Sequence, residues 1–190
     1  YLDGKMVYKY GTMDFNNRKA APGSGLHFLP LPADFQGKTL FFRIYSPFPE
    51  YTGRITDVNL GSKSDLLLQV IKTHLDSFIL ACVFIFLGLC MLFIYLFGRV
   101  EQLALLSLGF CSVSLGVWLL AESKIIQFIV KSPVALMYIA YLGIFMLPVG
   151  FCAFILQAFN IHPTRIIRAL PRYYLAFAAV SFLLEFTRTV

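Results

Sequence analysis

The sequence predicts a membrane α-helical bundle preceded by a partial all-β domain of the sandwich or jelly-roll kind. The first observation is the segment at residues 76–97, DSFILACVFIFLGLCMLFIYLF, which after Asp76 contains 21 residues without a charge. A helix of this length rises about 30 Å, the thickness of a bilayer's hydrocarbon core. The second observation is that short segments rich in β-branched and aromatic residues precede it, while further long apolar blocks follow it.

Three regions follow from this change in composition. Residues 1–62 are predicted to be part of an extracytoplasmic β domain, residues 63–75 a juxtamembrane helix, and residues 76–190 the first spans of a larger membrane domain. The spans are predicted at residues 76–97, 103–121, 134–159 and 173–190, of which the last is unfinished. Because no initiator Met or signal peptide is present and the chain stops within a hydrophobic run, we expect a fragment of a longer protein.

The β domain is predicted from short strand patterns separated by turn residues. Residues 1–11, YLDGKMVYKYG, predict two strands joined by a tight turn, since Asp3 and Gly4 both tolerate positive φ. Gln36 and Gly37 predict a second turn before the strongest strand pattern, KTLFFRIYS. This pattern covers residues 38–46, and two further strands are predicted at residues 26–31 and 54–60. Because these few strands would form only a small hydrophobic core, we expect further strands upstream of residue 1.

The juxtamembrane helix is predicted from a change of period at SKSDLLLQVIKT. Ser64 is predicted as its N-cap, and the apolar side chains of Leu66, Leu67, Val70 and Ile71 lie on one side. Because this helix runs directly into the first span, we expect it to couple the β domain mechanically to the membrane.

Basic residues predict the orientation. The first and third loops carry four of them, whereas the second loop carries two. The four are Arg99, Arg165, Arg168 and Arg172, and the two are Lys124 and Lys131. The positive-inside rule then predicts a multi-pass protein of the cell membrane whose residues 1–75 are extracytoplasmic. The net charge of +6 is scattered or lies beside the spans, so the lipid bilayer, and no nucleic acid, is the expected partner.

Polar residues and helix breakers inside the spans are the candidate functional positions. Glu122 and Glu185 lie near span ends, where a carboxylate reaches water or headgroups. Pro148, with Gly143 and Gly150, is predicted to break the third helix, either as a packing kink or as a hinge that moves in signalling. Gly109 and Gly116 are seven residues apart, which predicts close helix packing on one face.

The sequence predicts no catalytic, cofactor-binding or metal-binding residues. His27, His74 and His162 lie in three different regions, and no nucleophile-elbow, P-loop or zinc-protease motif occurs. The cysteines Cys82, Cys90, Cys111 and Cys152 all fall inside apolar blocks, where small apolar packing explains them. The aromatic residues at 41–51 fit either stacking on a sugar or packing in a core.

The order of parts carries a resemblance. A β-like segment ending in KTLFFRIYS and VNLGSKSDLLLQVIK precedes FILACVFIFLGLCMLFIYL, then SLGVWLLAESKIIQFI and IFMLPVGFCAFILQAF. Over most of residues 26–190 this resembles the bacterial seven-transmembrane receptors with diverse intracellular signalling modules. The likeness lies in arrangement and hydropathy more than in specific motifs.

The resemblance implies a receptor whose exported sensory domain binds a carbohydrate-like or other small ligand. It also implies a cytoplasmic output outside this chain, with a diguanylate cyclase or histidine kinase favoured and a phosphatase as a further option. A homodimer is compatible with such outputs. The alternative is a polytopic transporter or envelope-assembly subunit with an exported β domain, and a membrane enzyme with its site in that domain is a third.

Overall fold

The computed structural model describes residues 1–10, 25–44, 57–98, 103–159 and 165–189. In these ranges the chain forms four α-helices: α1 Lys63–Phe97, α2 Leu103–Glu122, α3 Pro133–Ala158 and α4 Arg165–Thr189. A short 3₁₀ helix, Lys124–Phe128, joins α2 to α3. The helix α2 packs against both α1 and α3, and α4 packs against α3. The fold described is therefore a helical bundle with α2 at its centre.

The predicted β domain is wrong for the part of the chain that the structure describes. No β-strand or sheet occurs there, and only two isolated bridges join Leu2 to Lys5 and Leu2 to Leu40. Leu2 is buried, but many aromatic and aliphatic side chains of the expected strands are exposed, including those of Met6, Phe41 and Val58. Strands persist when a ladder and a buried face support them, and these segments have neither. The predicted strand positions at 45–46 and 54–56 lie outside the described residues.

Both predicted turns are confirmed, although the strands around them are not. Asp3 and Gly4 adopt positive φ angles of 45° and 79°, and Leu2 and Lys5 exchange backbone hydrogen bonds of 2.8 and 3.0 Å. Gly37 has a φ of 74°, and Lys38 N donates to Phe35 O at 3.1 Å. Local turn chemistry was therefore sufficient to place the turns but insufficient to build a sheet.

The first helix joins the predicted juxtamembrane segment and first span without a break. It has 35 residues, so it is about 50 Å long. Its N-cap is Ser62 rather than the predicted Ser64, and the Ser62 hydroxyl accepts from Asp65 N at 3.2 Å. The expected continuity of residues 63–97 is confirmed.

Small residues allow the helices to approach closely. A Cβ at Gly88 on α1 would lie 2.7 Å from Gly109 O on α2, and one at Gly116 would lie 2.8 Å from Ala81 O. On the other side of α2, a Cβ at Gly143 of α3 would lie 3.0 Å from Ser114 O. The seven-residue spacing of Gly109 and Gly116 therefore serves close packing, as predicted.

The helix is not interrupted at Pro148, and the predicted packing kink or hinge there stays a prediction. The helix α3 continues through Pro148, which is its only internal proline in the described residues. A transmembrane helix tolerates proline because neighbouring groups compensate for the missing backbone hydrogen bond. Gly143 and Gly150 are both buried against α2, so their role is packing rather than breaking the helix.

Three helices, α1, α2 and α3, are long and apolar enough to cross a membrane in the described part of the chain. They coincide with the first three predicted spans within one or two residues, apart from the extension of α1. This composition indicates a membrane protein. The fourth predicted span falls within α4 and stays a prediction, as does the number of passes.

Candidate functional site

A cleft of about 420 Å³ lies at the end of the bundle where α1 and α3 begin. Its walls come from the N-terminal segment, the first turns of α1, the 3₁₀ helix and the start of α3. The lining residues are Tyr10, Gly25, Leu26, His27, Phe28, Lys63, Leu67, Gln127, Phe128, Val130, Lys131 and Pro133. The cleft thus joins parts of the chain that are about 100 residues apart.

Contacts between residues 25–28 and the helical part hold the cleft together. Leu26 N donates a hydrogen bond of 2.9 Å to Gln127 Oε1, which links the N-terminal segment to the 3₁₀ helix. Gly25 lies so close to α3 that a Cβ there would approach Pro133 Cγ to 3.2 Å and His27 Nε2 to 2.9 Å. A side chain at position 25 would therefore push the segment away from α3.

His27 and two tyrosines form an aromatic cluster at the cleft. The Tyr8 hydroxyl lies 2.9 Å from His27 Nδ1, and the rings of Tyr10 and His27 have centroids 4.2 Å apart. Partial burial lowers the pKa of His27, because desolvation disfavours the charged imidazolium. In the tautomer that carries its proton on Nε2, His27 Nδ1 accepts a hydrogen bond from the Tyr8 hydroxyl.

The charge of the cleft is positive. Among the described residues that line it, Lys63 and Lys131 carry charge and none is acidic. Within the described part of the chain, neither lysine forms a salt bridge. Lys63 is the first residue of α1, and Lys131 precedes α3 by two residues, so both lie at the positive ends of helix dipoles. The first turn of α3 contains no acidic residue that would offset this charge.

The distance along α1 between the cleft and the apolar stretch can be compared with the thickness of the lipid headgroup layer. Leu67 lines the cleft, and the uncharged stretch of α1 begins at Ser77, ten residues later. Ten helical residues correspond to about 15 Å. Headgroups add about 5–8 Å on each side of the hydrocarbon core.

The polar residues singled out from the sequence lie elsewhere. Glu122 is the exposed last residue of α2, in agreement with its predicted place at a span end. His74 is half-buried on α1, whereas His27 lines the cleft. Glu185 belongs to α4, but its side chain is outside the described part, as is His162. Phe41 and Phe42 are exposed and away from the cleft lining, and positions 45–51 fall outside the described residues.

Sequence reasoning missed the residues that make the cleft polar, namely Lys63, Gln127 and Lys131. A weak signal was present for the two lysines, since a lysine beside the start of a helix is unfavourable to the helix dipole. The four cysteines are free thiols on α1, α2 and α3. In the described residues, no group of three or more His, Cys, Asp or Glu side chains is arranged to hold a metal ion.

Comparisons with known proteins add no relative. No protein-family model matches the chain, and searches of curated proteins and of solved structures return no match.

Proposed function

We propose that this chain is part of a membrane signal receptor that senses a small ligand outside the membrane. The cleft holds the ligand, and the helices pass its presence to a cytoplasmic output domain. The observation that carries the proposal is the continuity of α1. Its first turns, at Lys63 and Leu67, line the cleft, and the same unbroken helix contains the first apolar span.

The physical mechanism is a shift between two arrangements of the bundle. A ligand that binds one arrangement more tightly than the other shifts the equilibrium by that difference in affinity. Because α1 is continuous, a displacement of its first turns moves the whole helix against α2. Close packing at Gly88 and Gly116 leaves no room for gradual deformation, so the helices shift as rigid bodies.

The output domain is proposed from the family resemblance alone. A diguanylate cyclase or a histidine kinase is favoured, joined to the chain on the cytoplasmic side. In this proposal the enzyme activity belongs to that output domain.

Transport is the alternative function predicted from the sequence. A transporter is expected to have discontinuous helices or charged residues inside its spans. The helix α3 is continuous through Pro148, and residues 77–97 and 133–158 contain no Asp, Glu, Lys or Arg, so we favour the receptor.

The proposal predicts that releasing the N-terminal segment at one end of the bundle moves the helices at the other end. Gln127→Ala removes the acceptor of the Leu26 N–H, so the segment detaches from the 3₁₀ helix. We expect the distance between spin labels at positions 97 and 159, both exposed and at the opposite end, to change by on the order of 1–2 Å. Double electron–electron resonance in lipid nanodiscs measures it, with the four native cysteines replaced by alanine.

Gln69→Ala is the matched control, because Gln69 is an exposed residue of α1 that does not line the cleft. It should leave the distance distribution unchanged. An identical distribution for Gln127→Ala and wild type, with the segment shown to be released by faster amide exchange at Leu26, would reject transmission along the helices.

A further inference from the structure

The described lining of the cleft contains positive charge and no negative charge. Lys63 begins α1, Lys131 precedes α3 by two residues, and both line the same cavity. Neither takes part in a salt bridge within the described ranges, and Asp65, in the first turn of α1, does not line the cleft. Two ammonium groups in one cavity, each beside the positive end of a helix, favour an anion there.

The rest of the lining determines which ligand framework fits. Tyr10, His27 and Phe28 contribute aromatic surface, and Leu67, Val130 and Pro133 contribute apolar surface. Gln127 also lines the cleft, and its Oε1 accepts a hydrogen bond from Leu26 N. The volume of about 420 Å³ lies within the range of small-molecule sites.

We propose that the cleft binds a small organic anion, whose carboxylate or phosphate lies between Lys63 and Lys131 and whose ring packs on the aromatic wall. This inference rests on the proposed function, since it names the ligand class of the same site. The lysines supply charge-assisted hydrogen bonds, and the His27 ring supplies stacking surface.

A water-soluble anion and a lipid headgroup both carry the chemistry that this site would bind. Leu67 lies about 15 Å along α1 from the start of the uncharged stretch, whereas Pro133, which also lines the cleft, is the first residue of the membrane-length helix α3. The lipid composition of the nanodisc in the test distinguishes the two sources.

The test is binding of benzoate and phenyl phosphate to the purified chain in phosphatidylcholine nanodiscs, measured by isothermal titration calorimetry. Benzamide is the matched neutral probe, since it keeps the ring and shape of benzoate without the charge. We expect saturable binding of the two anions in the millimolar range or tighter, as for ligands of about ten heavy atoms, and at least tenfold weaker binding of benzamide.

Two variants place the binding in the cleft. Lys63→Gln and Lys131→Gln should each weaken the binding of both anions about tenfold, because each removes one charge-assisted contact. Lys72→Gln is the control, as Lys72 is an exposed lysine of α1 away from the cleft. Helicity by circular dichroism should be unchanged in all three, since the three side chains are exposed.

Each outcome separates the inference from its alternatives. Equal binding of benzamide, no anion binding, or equal effects of Lys72→Gln and the cleft variants would overturn the anion site. Weaker binding of the two anions in nanodiscs that contain phosphatidylglycerol would identify a lipid headgroup as the source of the anion, and unchanged binding would identify a soluble anion. Anion binding in the cleft without a change in the distance between positions 97 and 159 keeps the site but rejects the receptor proposal. A distance change in Gln127→Ala without anion binding keeps the receptor proposal but rejects the anion site.

Discussion

Gly88→Leu is expected to lower the free energy of unfolding of the bundle by about 1–3 kcal/mol, the usual cost of overpacking. The reason is the backbone contact between α1 and α2. A Cβ at position 88 would lie 2.7 Å from Gly109 O and 2.8 Å from Val113 N. Backbone atoms inside a helix do not move aside as a flexible side chain does, so α1 must shift away from α2. Thermal unfolding in detergent micelles measures the effect as a lower Tm.

Val83→Leu is the control, because Val83 is exposed on the same helix, five residues earlier. It adds a methylene group on the outer face of α1 and should leave the Tm unchanged. Equal Tm values for wild type and Gly88→Leu would show that α1 does not pack against α2 through Gly88.

Leu75→Pro is expected to disconnect the cleft from the spans. Proline removes one backbone hydrogen bond and clashes with the preceding turn, at a cost of about 3 kcal/mol or more in a helix interior. Position 75 is exposed and lies between the cleft residue Leu67 and the uncharged stretch that starts at Ser77. In this background, Gln127→Ala should no longer change the distance between labels at positions 97 and 159.

Leu75→Ala provides the comparison, since it removes the same side chain without breaking the helix. The distance change caused by Gln127→Ala should persist in it. If Leu75→Pro leaves that change at its full size, the signal does not travel through α1, and the account of coupling is wrong.

The helical half of the chain could be predicted closely because its signals are local and long. An uncharged run such as residues 77–97 fixes the type of element by its length, and the charged residues between runs mark the ends. Proline interrupts helices in water, but inside a packed bundle of apolar helices the chain continues through Pro148 as a helix.

The β domain could not be predicted reliably because strands depend on partners distant in the sequence. KTLFFRIYS has the composition of a strand, but in its described part only Leu40 forms a bridge, to Leu2. The Asp3-Gly4 turn was predictable, since the φ angles of two adjacent residues decide it.

The cleft was not predictable for a similar reason. It combines residues 25–28, the start of α1 and the segment before α3, and the bond from Leu26 N to Gln127 Oε1 crosses 101 positions. Lys63 and Lys131 could be noted as lysines beside helix starts. Their meeting in one cavity depends on how α1 and α3 pack around α2.

The measurement that tests the central claim most directly is the sidedness of the two ends of the bundle. Ser64 lies beside the cleft, Phe159 lies at the other end of the bundle, and both are exposed. Each is replaced by cysteine in a separate variant whose four native cysteines are replaced by alanine. A charged, membrane-impermeant thiol reagent is added to bacterial spheroplasts. The account predicts that Ser64→Cys reacts in intact spheroplasts and that Phe159→Cys reacts only after permeabilisation. The predicted orientation would be contradicted if, in intact spheroplasts, Phe159→Cys reacted and Ser64→Cys did not, or if both reacted equally.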